Sequence, residues 1–317
     1  MAHFENIHRV VDNYTANPVL GYVVWSPVKS LFILAMYVAT AIAATSYFSW
    51  DAFALFAVKT SAVLLLGHSV GMHRRLIHNS FNCPLWLEYF LVYMGVLVGL
   101  GGPYTMIRTH DTRDWAQRKP KCHDYFAHRR TPLQDAFWQM HCDLKLEHPP
   151  QIVMESRIAN SAFYRLIEKH WIAVHMPWVI AFYLMGGVSW VLWGVCVQIA
   201  VTITGHWLIG YIAHRDDPTE WHVRGAGVQG FNVKFCGLIT MGESWHNNHH
   251  AFPGSAKIGL YKGQADPGWW FIKCLEYIGL VHDVKTHKDL PYRSELQWVS
   301  NAKLHKQHLS RNEFTLS

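Results

Sequence analysis

The 317-residue sequence has few charged residues and no paired cysteines. Only 16% of its residues are Asp, Glu, Lys or Arg, whereas 50% are hydrophobic. The six cysteines are scattered without a C-x-x-C pair, which indicates neither a zinc knuckle nor a disulfide framework and is typical of a reducing compartment. No basic stretch followed by an apolar core opens the chain, so we expect no cleaved signal peptide. No internal repeat, low-complexity tract or Pro/Ser-rich linker divides it, which predicts one integrated domain.

Long apolar runs are the main feature that the sequence does contain. Runs at 31–48, 52–70, 171–187 and 188–210 are long enough, or nearly so, to cross a hydrocarbon core of about 30 Å as helices. The two turns, at 49–51 and 186–187, carry no Lys or Arg, whereas 72–170 and the C-terminal region are rich in both. By the positive-inside rule, we expect four transmembrane helices in two hairpins, with both termini and both large segments in the cytoplasm.

Three further features need separate interpretation. If the apolar run from Trp86 to Leu100 crossed the bilayer, the histidines before and after it would lie on opposite faces. We therefore interpret it as a helix that lies in the interface or dips in and returns. Lys59, inside the second run, is interpreted as a snorkelling or helix-facing residue. The formal charge is +6, but the basic residues flank apolar segments, which predicts contact with a lipid bilayer and not with nucleic acid.

Histidine is in large excess, with 22 residues, and its placement is informative. In the string WHNNHH, His246, His249 and His250 fall at i, i+3 and i+4, on one face of a helix. The predicted topology places these three on the same cytoplasmic side as His73, His78, His110 and His214. Imidazole-rich sites suit iron that changes redox state and binds oxygen. Because a zinc site needs three or four ligands, seven clustered histidines predict two metals.

The strings HRRLIH, HDTRD and HNNHH resemble the three histidine boxes of the membrane fatty acyl desaturases, most closely the acyl-CoA and acyl-lipid Δ9-type enzymes. The first and third boxes of that family read H-x4-H and H-x-x-H-H, and MGESWHNNHHAFP is similar to its GEGFHNYHH-x-FP. WLIGYIAH resembles the family segment WLVNSAAH, whose His is a metal ligand. The similarity runs from about Ser30 to Val284. It implies an all-α multi-pass membrane protein whose cytoplasmic helical cap holds a di-iron site.

The resemblance also implies which residues bind two iron ions that change between Fe2+ and Fe3+. The implied metal ligands are His73, His78, His110, Asp114, His214, His246, His249 and His250. The second box departs from the family pattern H-x-x-H-H, because its last two positions are Arg113 and Asp114. Arg113 is permanently protonated and cannot bind iron. Asp114, at i+4 from His110, either supplies a carboxylate oxygen or orients a ligand through a hydrogen bond.

Gly210 replaces an Asn that supports a metal-bound water in the family, and His206 on the same predicted helix is a candidate to compensate. Glu243 is a candidate acceptor for the N–H of a ligand, or a carboxylate that complements a helix N-terminus. Further candidates are His68, His123, His128 and His141. Each of these four, taken alone, is better explained by packing, by an interfacial position or by support of a ligand.

As a function, the resemblance implies O2-dependent removal of two vicinal hydrogens from a long-chain fatty acyl group carried by CoA or a lipid. The product would contain a cis double bond, expected at Δ9. The chain contains no cytochrome b5-like domain, flavin motif or Fe–S cysteine set, so we expect an external electron donor. A ferredoxin, or cytochrome b5 with its reductase, would fill this role.

Two alternatives and a domain division complete the expectations. A related di-iron hydroxylase or monooxygenase would use the same site. A histidine-rich membrane metal transporter is less consistent with the sequence, because polar residues are sparse in the middle of the apolar runs.

We expect an N-terminal cytoplasmic segment at 1–28, an integral-membrane domain at 29–302 and a tail at 303–317. The expected location is a bacterial inner membrane, with the active site on the cytoplasmic side.

Overall fold

A computed structural model describes residues 9–215 and 219–299, which are mainly helical. Three helices are long and apolar enough to cross a membrane: Pro27–Ser46, Trp50–Ile77 and Ala173–Ala213. The shorter helices are Leu85–Val96, Pro103–Gln117, Asp124–Ala127, Pro132–His141, Ser156–Ala159, Ala162–Lys169, His246–Ala251 and Pro267–Tyr277. The helical class is therefore confirmed. The predicted tail at 303–317 and the first eight residues lie outside the described part of the chain.

Short antiparallel strand pairs, which the sequence did not predict, join distant segments of the described chain. Their pairings are Val10–Val11 with Gln151–Ile152, Gly21–Trp25 with Cys142–Leu146, and Trp221–Val223 with Leu296–Trp298. Each sheet has two strands. Such pairs are too small to form a core of their own, so they act as ties between the helices and the segments around them.

The helix Ala173–Ala213 reverses direction at Gly187, where the sequence predicted a turn. Gly187 has φ 65° and ψ −155°, a conformation that glycine adopts without strain. Lys59 Nζ donates to the carbonyl oxygen of Gly194 at 2.8 Å and lies 5.3 Å from the ring centroid of Trp178. A straight helix would separate Trp178 and Gly194 by about 24 Å. The two halves therefore pack side by side as a helical hairpin.

Lys59 faces this hairpin and not the lipid. Its side chain is buried, with 5% of the residue exposed. In addition to the Gly194 carbonyl, Nζ donates to Oε1 of Gln198 at 2.9 Å. These contacts support the helix-facing interpretation of this lysine and exclude the snorkelling one.

The second long helix runs further than the sequence predicted, to Ile77 instead of residue 70. Its second half, Val63–Ile77, is wound as a π-helix, and the N–H of His78 continues the pattern by donating to the His73 carbonyl at 3.0 Å. In this winding, residues five apart lie above one another, so the H-x4-H spacing aligns its two histidines. The predicted end was wrong because Arg74 and Arg75 do not end the helix. They are buried in ion pairs with Asp266 and Glu88.

The helix Leu85–Val96 packs closely against this π-helical stretch. A Cβ atom at Gly71 would lie 2.4 Å from the carbonyl oxygen of Leu91, and one at Gly67 would lie 2.3 Å from the carbonyl carbon of Met94. Glycine at both positions therefore lets the two backbones touch. With 12 residues, the helix is about 18 Å long, short of the ~30 Å needed to cross a bilayer.

Arg9 fastens the N-terminal segment to the helices. Its guanidinium donates to the backbone carbonyls of Ile77 and Leu76, at 2.8 and 2.9 Å, just before His78. It also forms ion pairs with Glu155 at 2.8 Å and with Asp111 at 3.3 Å. The side chain of Arg9 is only 2% exposed, so this network is buried and links the start of the chain to three later segments.

We predict that Arg9→Ala lowers the free energy of unfolding by roughly 3 kcal/mol, because it leaves carboxylates and carbonyls without their buried donor. The measurement is thermal unfolding of the purified protein in detergent, beside the exposed Arg165→Ala as control. Equal midpoints for the two variants would contradict the structural role of Arg9.

Candidate metal centre

Four histidines from three helical segments converge in a first cluster, which we call the four-histidine cluster. It consists of His73, His78, His110 and His249, with ligand nitrogens within 4.8 Å of one another. The centroids of these rings are 4.5 to 6.0 Å apart. Nε2 of His78 is buried and has no hydrogen-bond partner among the described residues. Because an unpaired buried nitrogen is costly, this arrangement fits a nitrogen that binds a metal ion.

A second group, the three-histidine cluster, consists of His214, His246 and His250. Nε2 of His246 lies 3.2 Å from Nε2 of His214 and 3.0 Å from Nε2 of His250. Nδ1 of His214 lies 2.7 Å from the Gly210 carbonyl, which can only accept, so the proton is on Nδ1 and the lone pair is on Nε2. If two nitrogens each lie about 2.1 Å from one metal ion and the two metal–nitrogen bonds are at right angles, the nitrogens are about 3.0 Å apart. The spacing of this cluster therefore fits a metal ion.

Five clustered imidazoles outside the long helices are neutral at pH 7: His78, His214, His246, His249 and His250. Burial is the main cause that lowers the pKa of His78, His214, His246 and His249 well below the usual range. Burial likewise lowers the pKa of His250 to about 4. A neutral imidazole keeps one lone pair free, so these side chains are ready to bind a metal.

Glu243 supports the four-histidine cluster from behind. Its Oε2 lies 2.6 Å from Nδ1 of His73, and its Oε1 accepts a hydrogen bond from Ser69 Oγ at 2.6 Å and lies 3.5 Å from Arg74. Burial would raise the pKa of this carboxyl, but His73 and Arg74 outweigh burial and hold it below its usual range. A carboxylate against one ring nitrogen of a histidine fixes the other nitrogen toward a metal. These contacts favour the supporting role over the helix-terminus role.

Asp114 and Arg113 lie beside the clusters. Asp114 is near His110, His249 and His250, but it is not in either group of converging ligand atoms. Its Oδ2 lies 3.6 Å from the guanidinium of Arg118. Arg113 lines the same cavity and donates to Oε1 of Gln139 at 2.9 Å. The altered second box thus contributes His110 to a cluster and places its Asp next to both.

The remaining histidine candidates differ in position. His68 and His206 face each other with ring centroids 4.9 Å apart and line the cavity, outside both clusters. His123 accepts from the backbone N–H of Tyr125, and His141 contacts the hydroxyl of Ser30. These last two lie outside both clusters.

Both clusters border one cavity of about 410 Å³. Its lining includes histidines of both clusters together with apolar side chains of the long helices and nearby loops, among them Phe32, Ile33, Leu100, Ile203 and Trp207. This volume is within the range of small-molecule sites, about 300–1,000 Å³. The fold and the site together describe a helical protein with three helices that could cross a membrane and two histidine clusters that could hold metal ions beside a cavity lined in part by apolar side chains.

Comparison with known proteins identifies the family. No family model matches the chain. It is 31% identical over 264 residues to the sn-1 stearoyl-lipid 9-desaturase of Anabaena variabilis, covering 81% of this chain and 93% of that protein. It is 30% identical over 256 residues to the acyl-CoA C20 Delta5-desaturase of Anemone leveillei (79% of each chain) and 32% identical over 254 residues to Delta-9 acyl-lipid desaturase 2 of Arabidopsis thaliana (77% and 78%). The chain belongs to the membrane fatty acyl desaturases, a family of oxidoreductases, which confirms the resemblance seen in the histidine boxes.

We predict that Glu243→Gln weakens metal binding roughly 10- to 100-fold, because an amide holds the ring of His73 less firmly than a carboxylate does. Competition of the protein with a chromophoric chelator for Fe2+ measures the change. The exposed Glu147→Gln is the matched control and should bind as the unaltered protein does. An unchanged affinity in folded Glu243→Gln would show that this carboxylate does not support the centre.

Proposed function

We propose that this protein is an O2-dependent fatty acyl desaturase that introduces a cis double bond, at Δ9, into a long-chain acyl group carried by CoA or a lipid. The observation that carries the proposal is that two histidine clusters and an apolar wall border the same cavity. This arrangement brings a metal centre next to a site for a hydrocarbon chain. The names of the relatives include both acyl-CoA and acyl-lipid desaturases, and both 5- and 9-desaturases, which supports the reaction class.

Each cluster would hold one iron ion. The proposed ligands are His73, His78, His110 and His249 for one ion and His214, His246 and His250 for the other, with Asp114 beside both. Bound iron would supply the redox chemistry, in which O2 is reduced and an unactivated C–H bond is oxidised. No protein side chain provides this chemistry.

The residues of the chain itself bind and shield the substrate. Apolar side chains such as Phe32, Ile33 and Ile203 would hold the acyl chain at about 0.8 kcal/mol for each buried CH2 group. This binding is not chemically specific, so the depth of the cavity would decide which carbons lie next to the histidines. Burial of the clusters also keeps bulk water away from the reacting carbons.

The membrane arrangement that we propose has four crossings in two hairpins. Large apolar side chains on the outside of the long helices support it, among them Leu31, Val38 and Leu184, which are exposed in the structure. The remaining helices would form the cytoplasmic cap of a bacterial inner-membrane protein, within an integral-membrane domain at 29–302. Electrons would come from a separate ferredoxin, or from cytochrome b5 with its reductase.

The test is gas chromatography–mass spectrometry of total fatty acids from a host that lacks its own desaturase and expresses this chain with an electron donor. We predict a new monounsaturated acid with the intact chain and its loss in His249→Ala, which removes a donor from the four-histidine cluster. Derivatisation of the double bond gives its position.

The exposed His282→Ala is the matched control, with the same chemical change and an expected unchanged product. A hydroxy acid in place of the monoene would support the hydroxylase alternative. No new product from folded, metal-loaded protein with donor present would contradict the proposed function.

A further inference from the structure

His128, one of the four further histidine candidates in the sequence, lies beside the three-histidine cluster. It follows the short helix Asp124–Ala127 and has a φ of 52°, unusual for a residue other than glycine. Only 5% of it is exposed, and it lines the cavity. Its ring centroid is 5.2 Å from that of His214. This separation falls within the 4.5 to 6.0 Å found among the rings of the four-histidine cluster.

Asp135 holds the ring of His128 from the other side. Its Oδ2 lies 3.0 Å from Nδ1 of His128 and accepts a second hydrogen bond, at 2.8 Å, from Nε1 of Trp207. Asp135 is fully buried. Since a carboxylate accepts, the proton of the neutral imidazole is on Nδ1 and the lone pair is on Nε2. A histidine whose second nitrogen faces a carboxylate has the arrangement typical of metal ligands.

Nε2 of His128 is buried and has no hydrogen-bond partner in the part of the chain that the structure describes. Packing alone does not explain a buried lone pair in the wall of a cavity that also contains His214, His246 and His250. The three-histidine cluster has one imidazole fewer than the other cluster, and the nearby Arg113 cannot bind a metal. A φ of 52° is unfavourable for a residue other than glycine, so the surrounding structure must hold His128 in this conformation.

We infer that His128, oriented by Asp135, is a fourth imidazole donor to the metal ion held by His214, His246 and His250. Its Nε2 lies outside the group of closely spaced ligand atoms, so a small ring movement on metal binding accompanies this role. The inference rests on the proposed function only in requiring that the three-histidine cluster binds a metal, and not on the identity of the substrate or product.

The test is titration of the purified full-length protein with Co2+ under anaerobic conditions, followed by visible absorption and by chelator competition. His128→Asn removes the imidazole but keeps a side chain that can donate to Asp135. We expect at least a tenfold loss of affinity at one of two sites and a change in the absorption bands of that site. His214→Ala should affect the same site, and the exposed His148→Ala should affect neither.

Asp135→Asn is the second variant. It keeps the shape of the side chain but removes the charge that orients His128, and a smaller loss at the same site is expected. Thermal unfolding without metal identifies any variant that does not fold, and His128→Gln then replaces His128→Asn.

Unchanged affinity and spectrum in folded His128→Asn would overturn the inference and make His128 a packing residue. If His214→Ala weakens no Co2+ binding, the three-histidine cluster does not hold a metal ion. That result would contradict the proposed function and the inference together. A selective loss in His128→Asn, combined with no fatty acid product in the expression test, would support the inference while contradicting the proposed reaction.

Discussion

The convergence of seven imidazoles in the interior of the protein is the constraint on which the rest of the structure depends. Nε2 of His246 lies 3.2 Å from Nε2 of His214 and 3.0 Å from Nε2 of His250, and Nε2 of His78 is buried without a hydrogen-bond partner among the described residues. Imidazole nitrogens at such distances repel one another unless a proton or a metal ion lies between them. The protein therefore has to bring several chain segments together and hold them, and most of its special local structure serves this purpose.

Three devices hold these segments in place. The π-helical winding of Val63–Ile77 aligns histidines five residues apart, and glycines in it let the neighbouring helix approach to backbone contact. The reversal at Gly187 returns the chain toward His214. Buried ion pairs of Arg9, Arg74 and Arg75 with carboxylates connect the end of the π-helical stretch and the N-terminal segment to other parts of the chain. Removing one partner of such a pair leaves a buried charge without compensation, so each pair holds its two segments together.

The sequence predicted those features of the structure that depend on a short-range pattern of residues. Spacing and hydropathy identified the seven histidines that form the two clusters, and a glycine pair marked the turn at Gly187. It did not predict the end of the second helix, because the partners of Arg74 and Arg75 that make their burial possible lie elsewhere in the chain. For the same reason it did not predict the buried contacts of Arg9 or the position of His128 next to His214. Their roles depend on contacts with Asp111, Glu155 and His214, which no local pattern encodes.

The central claim is that the two clusters are separate metal sites that serve one cavity. The most direct measurement is the iron content of anaerobically reconstituted protein, by mass spectrometry of the metal, for the unaltered chain, His78→Ala, His214→Ala and the double variant. The two substitutions remove donors from different clusters. The account predicts two ions per chain, about one in each single variant and none in the double variant. One ion per chain, lost in both single variants, would contradict it and show that the seven histidines form a single site.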